Sequence, residues 1–205
     1  MKYFSRALPL VLICSAVVFT APGCKKGADV KRVSADSTTD LSGKWNDTDS
    51  RLVAKEMIQA VLSKPWLKRH IKKKGDIPNV IIGRVRNLSH EHINTRTFVN
   101  DLETALINSG EVSFVASKKE RQEIRSERKD QDINASDATR KEAGQEIGAD
   151  FMLKGSVNTI IDAVAGEHTR FYQVKMNLID LSNNRKVWQD QKKIKKSVSR
   201  SSFRF

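Results

Sequence analysis

No cysteine follows Cys24, and the only other one, Cys14, precedes it. The body of the chain therefore has no disulfide framework and no cysteine-ligated metal site. Histidines number four and are scattered, and no GxSxG, glycine-rich phosphate loop or HExxH pattern occurs. This thin inventory speaks against an enzyme, and neither a cofactor nor a small-molecule substrate is expected. Acidic residues are also scarce, 24 against 37 lysines and arginines, for a net charge of +13. On its own such an excess suggests nucleic acid, anionic lipid or an acidic partner. What is present fits one globular domain with a tail: 205 residues, 39% hydrophobic and 30% charged.

The first residues read as an address. Lys2 and Arg6 precede an apolar run of 13 residues, Ala7 to Phe19, broken by Pro9 and Ser15. That is short of the roughly 20 residues a membrane span needs, and it suits a signal-peptide h-region. Thr20, Ala21, Pro22 and Gly23 lead to Cys24. A cysteine after glycine at this place resembles a bacterial lipobox, in a loose form because Ala21 stands where leucine is usual. The resemblance implies cleavage after residue 23 and lipid attachment to Cys24, whose acyl chains would hold the protein on a membrane. The alternative is an ordinary secretory signal in which Cys24 is incidental. Lys25 follows, with no aspartate to act as an inner-membrane retention signal, which favours the outer membrane. Cleavage removes Lys2 and Arg6 and leaves +11. An exported basic protein does not meet the chromosome, so no nucleic-acid partner is expected.

Residues 24–40 form a polar tether, and 41–205 read as one α+β domain. Asp47 and Asp49 are candidate N-caps for a helix from about Ser50 to Ser63, with Val53, Met57 and Val61 beside Ala54, Ile58 and Leu62 in an apolar stripe. Pro65 ends it, and Trp66 to Lys74 is a short basic segment. Pro78 to Leu88 predicts a strand, Asn94 or Thr95 starts a second helix closed by Gly110, and Glu111 to Ala116 predicts a strand parallel to the first. Ser117 and Glu120 form a capping box opening a charge-dense helix, and another helix is predicted from about Ser136 to Ile147. In Asp150 to Asp162, Phe151, Leu153, Val157 and Ile161 alternate with Lys154, Ser156 and Asn158; in Arg170 to Leu181, Tyr172, Val174, Met176 and Leu178 alternate with Gln173, Lys175 and Asn177. Each predicts one buried and one solvated face. Asn183-Asn184 turns into a last strand, Lys186 to Lys196, giving a mixed sheet of about five strands with packed helices.

Two constellations carry groups capable of chemistry. His90-Glu91-His92 offers metal donors in a loop without a third ligand nearby, so no metal is expected. Asp47 and Asp49 read as caps rather than as an acidic pair. The basic runs are stronger signals. Lys64 to Lys74 holds six basic residues, and Arg185 to Phe205 holds eight with one acid, Asp190. In the second run Lys192, Lys193, Lys195 and Lys196 either protect a sheet edge or bind a partner. Trp188 among them is either a binding centre or a core residue.

Several blocks resemble the LpoB-like lipoproteins, activators of bifunctional penicillin-binding proteins. The most specific is Leu41-Ser-Gly-Lys-Trp-Asn-Asp-Thr-Asp-Ser-Arg51, with support from Pro78 to Leu88, the Phe98 to Gly110 helix and Gly148 to Ser156. The last block is shared with TolB amino-terminal-like and curli-export lipoproteins, so it speaks for that fold. The resemblance implies a non-catalytic, outer-membrane regulator facing the periplasm, whose partner is a bifunctional penicillin-binding protein of peptidoglycan synthesis. A structural lipoprotein of the curli-secretion type is the alternative, although no long amphipathic insertion segment occurs. Known members have a long proline-rich tether. Here about 20 residues span at most about 70 Å extended and nearer 25 Å as a coil, which leaves the outer leaflet of the inner membrane as an alternative anchor site.

Overall fold

The computed structural model describes residues 30–139, 146–164 and 166–199. The signal segment and Cys24 lie outside the described residues. The chain divides into two units, Met1–Ala35 and Asp36–Phe205, and every regular element described belongs to the second.

Helix α1 (Asp47–Leu62) forms because Val53, Ala54, Met57, Ile58 and Val61 recur at helical spacing and are buried together. Its cap is neither Asp47 nor Asp49. Asn46 takes that place, accepting the Asp49 amide at 3.0 Å, while the Asp49 carboxylate accepts the Asn46 amide at 3.0 Å. This reciprocal box draws both aspartates into the first turn. Pro65 does more than end α1, because it opens α2 (Pro65–Lys74), where its missing N–H is no loss. Gly75 closes α2 at φ 77°, a left-handed conformation that favours glycine.

Strand β1 (Asn79–Leu88) leads to α3 (Thr95–Ser109), capped by Asn94 and ended at Gly110. Strand β2 is only Ser113–Phe114, shorter than the expected Glu111 to Ala116. Its single neighbour is β1, Val112 turns into the core, and α4 (Lys118–Asn134) begins after the expected box of Ser117 and Glu120. Of the helix expected from about Ser136 to Ile147, residues 140–145 lie outside the described residues, and 136–139 and 146–147 are turn or irregular rather than helical. Strands β3 (Phe151–Val164), β4 (Glu167–Asp180) and β5 (Lys186–Ser199) complete the domain.

The sheet runs β2-β1-β3-β4-β5, with β1 parallel to β2 and β3 and the last three strands antiparallel. It is the mixed α+β architecture that the alternation and turn signals imply. Helices α1 and α3 pack on each other and on one face of the sheet, where Phe98, Leu102, Leu153, Tyr172, Val174 and Met176 meet. Gly155 is required there, since a methyl at that position would strike the Met176 thioether. Past Thr159 the β3–β4 ladder leaves the helices behind, so Ile161, expected inside, is exposed, while Ile160 and Val164 are exposed in the opposite phase. No described helix is long and apolar enough to cross a membrane.

Candidate partner-binding surface

The segment ahead of α1 is fastened to the far strands by buried polar groups. Glu91 is the hub. It pairs with Arg170, accepts from the Trp45 amide at 3.3 Å, and has the Tyr172 hydroxyl at 2.9 and 3.0 Å from its two oxygens. The same hydroxyl lies 3.1 Å from the Gly43 carbonyl, to which it can also donate. The Trp45 ring meets Tyr172 edge-on at 5.6 Å. Beside this clasp, Lys196 donates to Asp40 at 2.8 Å and to Asp49 at 2.7 Å. Burial alone would favour a neutral amine, but the two carboxylates outweigh it, and the Lys196 ammonium is held above its ordinary pKa. The block from Leu41 to Arg51 is thus a latch between tether, helix and sheet.

Burial and then the Glu91 carboxylate push the Tyr172 phenol up to about 12 from its usual 10.0. The raised value means the folded state holds the proton more tightly. The stability this contributes is complete below pH 10 and is lost as pH rises through about 12. An absorbance titration of the phenolate should therefore place its midpoint near 12 in the folded chain, with Glu91→Gln lowering it. A midpoint at 10 would show that Tyr172 is not held in the clasp.

On the opposite face of the sheet the side chains of β3, β4 and β5 are exposed or half-buried. Register brings Arg86 of β1 opposite Ser156 of β3, Lys154 opposite Asn177 of β4, Lys193 of β5 opposite Gln173, and Lys195 opposite Phe171. Lys175 stands between Ser156 and Gln191. Each of the five stands opposite a neutral side chain about 5 Å away, so the cations share one face with no acid between them. From Ile81 to Leu88, Met152 to Ile160, Phe171 to Ile179 and Gln189 to Ser197, no acidic side chain points to this face; Asp162 and Glu167 stand at the hairpin end. Apolar groups flank the field, with Met152 and Ile179 paired at one end and Ile160 and Phe171 at the other. Basic centres rimmed by apolar side chains suit a protein partner with an acidic docking surface.

The four lysines named from the sequence divide between the two faces. Lys193 and Lys195 are exposed on the open face. Lys192 and Lys196 point the other way, Lys192 to Glu56 at 2.5 Å and Lys196 into the latch. Trp188 is buried against the core, which fits the second of its two readings. Near His90-Glu91-His92, Glu91 is committed to Arg170 and Tyr172 while His90 meets Thr159, and no group of metal ligands occurs among the described residues. Nothing in the sequence singles out Arg86, and alternation gives Lys154 and Lys175 only the solvated phase of their strands. Their shared field emerges only from strand order and register.

The chain matches the family model described as peptidoglycan-synthase activator LpoB over residues 49–194. No curated protein matches it by sequence. Among solved structures it is similar to the LpoB C-terminal domain from Escherichia coli, at 16% identity and a TM-score of 0.37, covering 63% of this chain and 93% of that one. The corresponding domain from Salmonella enterica is 14% identical with a TM-score of 0.36 and the same coverages, 63% and 93%. Lipoprotein GNA1162 from Neisseria meningitidis is 17% identical with a TM-score of 0.34, covering 60% of this chain and 88% of that one.

Proposed function

The chain belongs to the peptidoglycan-synthase activator LpoB family, and from that premise we propose that it is a lipid-anchored regulator that binds and stimulates a bifunctional penicillin-binding protein. The family match carries this reading, because it runs from the first turn of α1 through most of β5 and so includes Arg86, Lys154, Lys175 and Lys193 of the open basic face. The family is one of activators, and the buried polar groups of the site hold the fold together rather than converging on a reacting atom. The partner contributes an acidic surface to the open face, and Arg86, Lys154, Lys175, Lys193 and Lys195 meet it. Cys24 carries the lipid, in the outer membrane with the domain facing the periplasm. The latch fixes where the tether joins the domain and so limits how the open face can turn.

The direct test is capture of the full chain from solubilised envelopes followed by identification of the bound protein. A bifunctional penicillin-binding protein recovered with the wild type is the expected result; its absence under low salt, where electrostatic association is strongest, would contradict the reading. Lipidation is tested separately. Cys24→Ala should abolish incorporation of a fatty-acid analogue and release the protein from the membrane, with its thermal melt unchanged. Undiminished label on the variant would move the anchor away from Cys24.

A further inference from the structure

Helix α2 has no acidic residue, and Lys68, Arg69, Lys72, Lys73 and Lys74 are all exposed on it. None of these five forms an ion pair within the described residues. Between α2 and the turn after β4 lies a groove of about 540 Å³, with Arg69, Lys73 and Lys74 on one wall and Asp180, Leu181 and Ser182 on the other. Its two carboxylates accept chiefly from neutral donors, while His70 stands 3.9 Å from Asp150 and the Lys73 charge also reaches Asp180. Asp150 accepts from the Asn79 amide at 2.9 Å and its side chain at 3.2 Å. Asp180 accepts from the Ser182 amide at 2.9 Å, its hydroxyl at 2.6 Å, and the Asn183 side chain at 3.0 Å. The acids of the groove are satisfied, whereas Arg69, Lys73 and Lys74 form no ion pair within the described residues, although the Lys73 charge reaches Asp180.

The arrangement of the cations selects the ligand. A single phosphate calls for donors converging on one point. Here the charges stand in a row along a helix of 10 residues, about 15 Å at 1.5 Å per residue, with neighbours three and four apart on one side. Flexible ammonium stems in a row suit separate carboxylates repeated along a polymer. Position points the same way. Asp36 and Asp40 tie the tether segment to Arg51 and Lys196 near the start of α1, whereas α2 follows the end of α1. The 16 residues of α1 separate these two ends by about 24 Å. The groove lies at the end of α1 away from Asp36 and Asp40.

We infer that this groove is a second binding site, taking the carboxylate-bearing polymer of the cell wall while the open sheet face remains free for the protein partner. The inference rests on the regulator reading for its envelope setting alone. The test is co-sedimentation of the detergent-solubilised full chain with purified, lipid-free sacculi. At low salt the chain should sediment with the sacculi, and amidation of the sacculus carboxylates should release it. Arg69→Glu with Lys73→Glu and Lys74→Glu should weaken the association at least about tenfold and leave capture of the penicillin-binding protein unchanged; Lys193→Glu with Lys195→Glu should do the reverse. A chain that stays in the supernatant, or triple-variant binding equal to wild type, overturns the inference. So does a triple variant that keeps the sacculi and loses the protein partner, which would make α2 part of the protein interface. If no penicillin-binding protein is captured by the wild type, the regulator reading fails and the sacculus result still decides this one.

Discussion

Glu91→Ala should lower the stability of the domain by about 3–5 kcal/mol, the range for removing one partner of a buried ion pair. The alanine leaves the Arg170 guanidinium facing the core, strips the Trp45 amide of its acceptor, and removes an acceptor from the Tyr172 hydroxyl. For a chain of this size the melting temperature should fall by roughly 10 °C. Tyr172→Phe is the milder comparison, since it deletes one hydroxyl, for about 1–3 kcal/mol. A Glu91→Ala melt within about a degree of wild type, well under 1 kcal/mol, would mean that the latch does not hold the segment from Leu41 to Arg51.

The second large effect is on binding. Lys193→Glu with Lys195→Glu should slow association with the penicillin-binding protein at least about tenfold at low salt, with the difference shrinking as salt rises. Both side chains are exposed and neither is ion-paired in the described residues, so the fold should be unaffected. Lys196→Glu should behave differently. It sets a third carboxylate beside Asp40 and Asp49, and its loss of binding should come with a lower melting temperature. Surface-plasmon association rates and thermal melts on the same variants separate the two outcomes. Rates that ignore both the reversal and the salt would leave Lys193 and Lys195 as guards of a sheet edge.

The sequence made the sheet legible because periodicity is local. Tyr172, Val174, Met176 and Leu178 alternate with polar residues, and all four are buried as that pattern requires. Asn184 adopts φ 61° in the turn where Asn183-Asn184 was read. Ile161 shows where local pattern stops: it keeps the phase of Phe151 and Leu153, but the helices that would cover it end earlier. Nothing in the sequence announces how far a helix reaches along a strand. The latch was hidden for a similar reason. Glu91 and Tyr172 are 81 positions apart, and Glu91 alone looked like one member of a possible metal cluster. Lys192 and Lys193 differ by one place along the chain and by a whole face in the sheet, because side chains alternate. Their separate roles follow once β5 is placed at the edge beside β4.

The central claim is regulation of a synthase through the open face. The measurement that meets it most directly is the rate at which a purified bifunctional penicillin-binding protein polymerises glycan strands, with and without the full chain. Stimulation by the wild type, retained with Arg69→Glu, Lys73→Glu and Lys74→Glu and lost with Lys193→Glu and Lys195→Glu, is the predicted result. A polymerisation rate that the wild-type chain leaves unchanged while it is bound to the enzyme would contradict it.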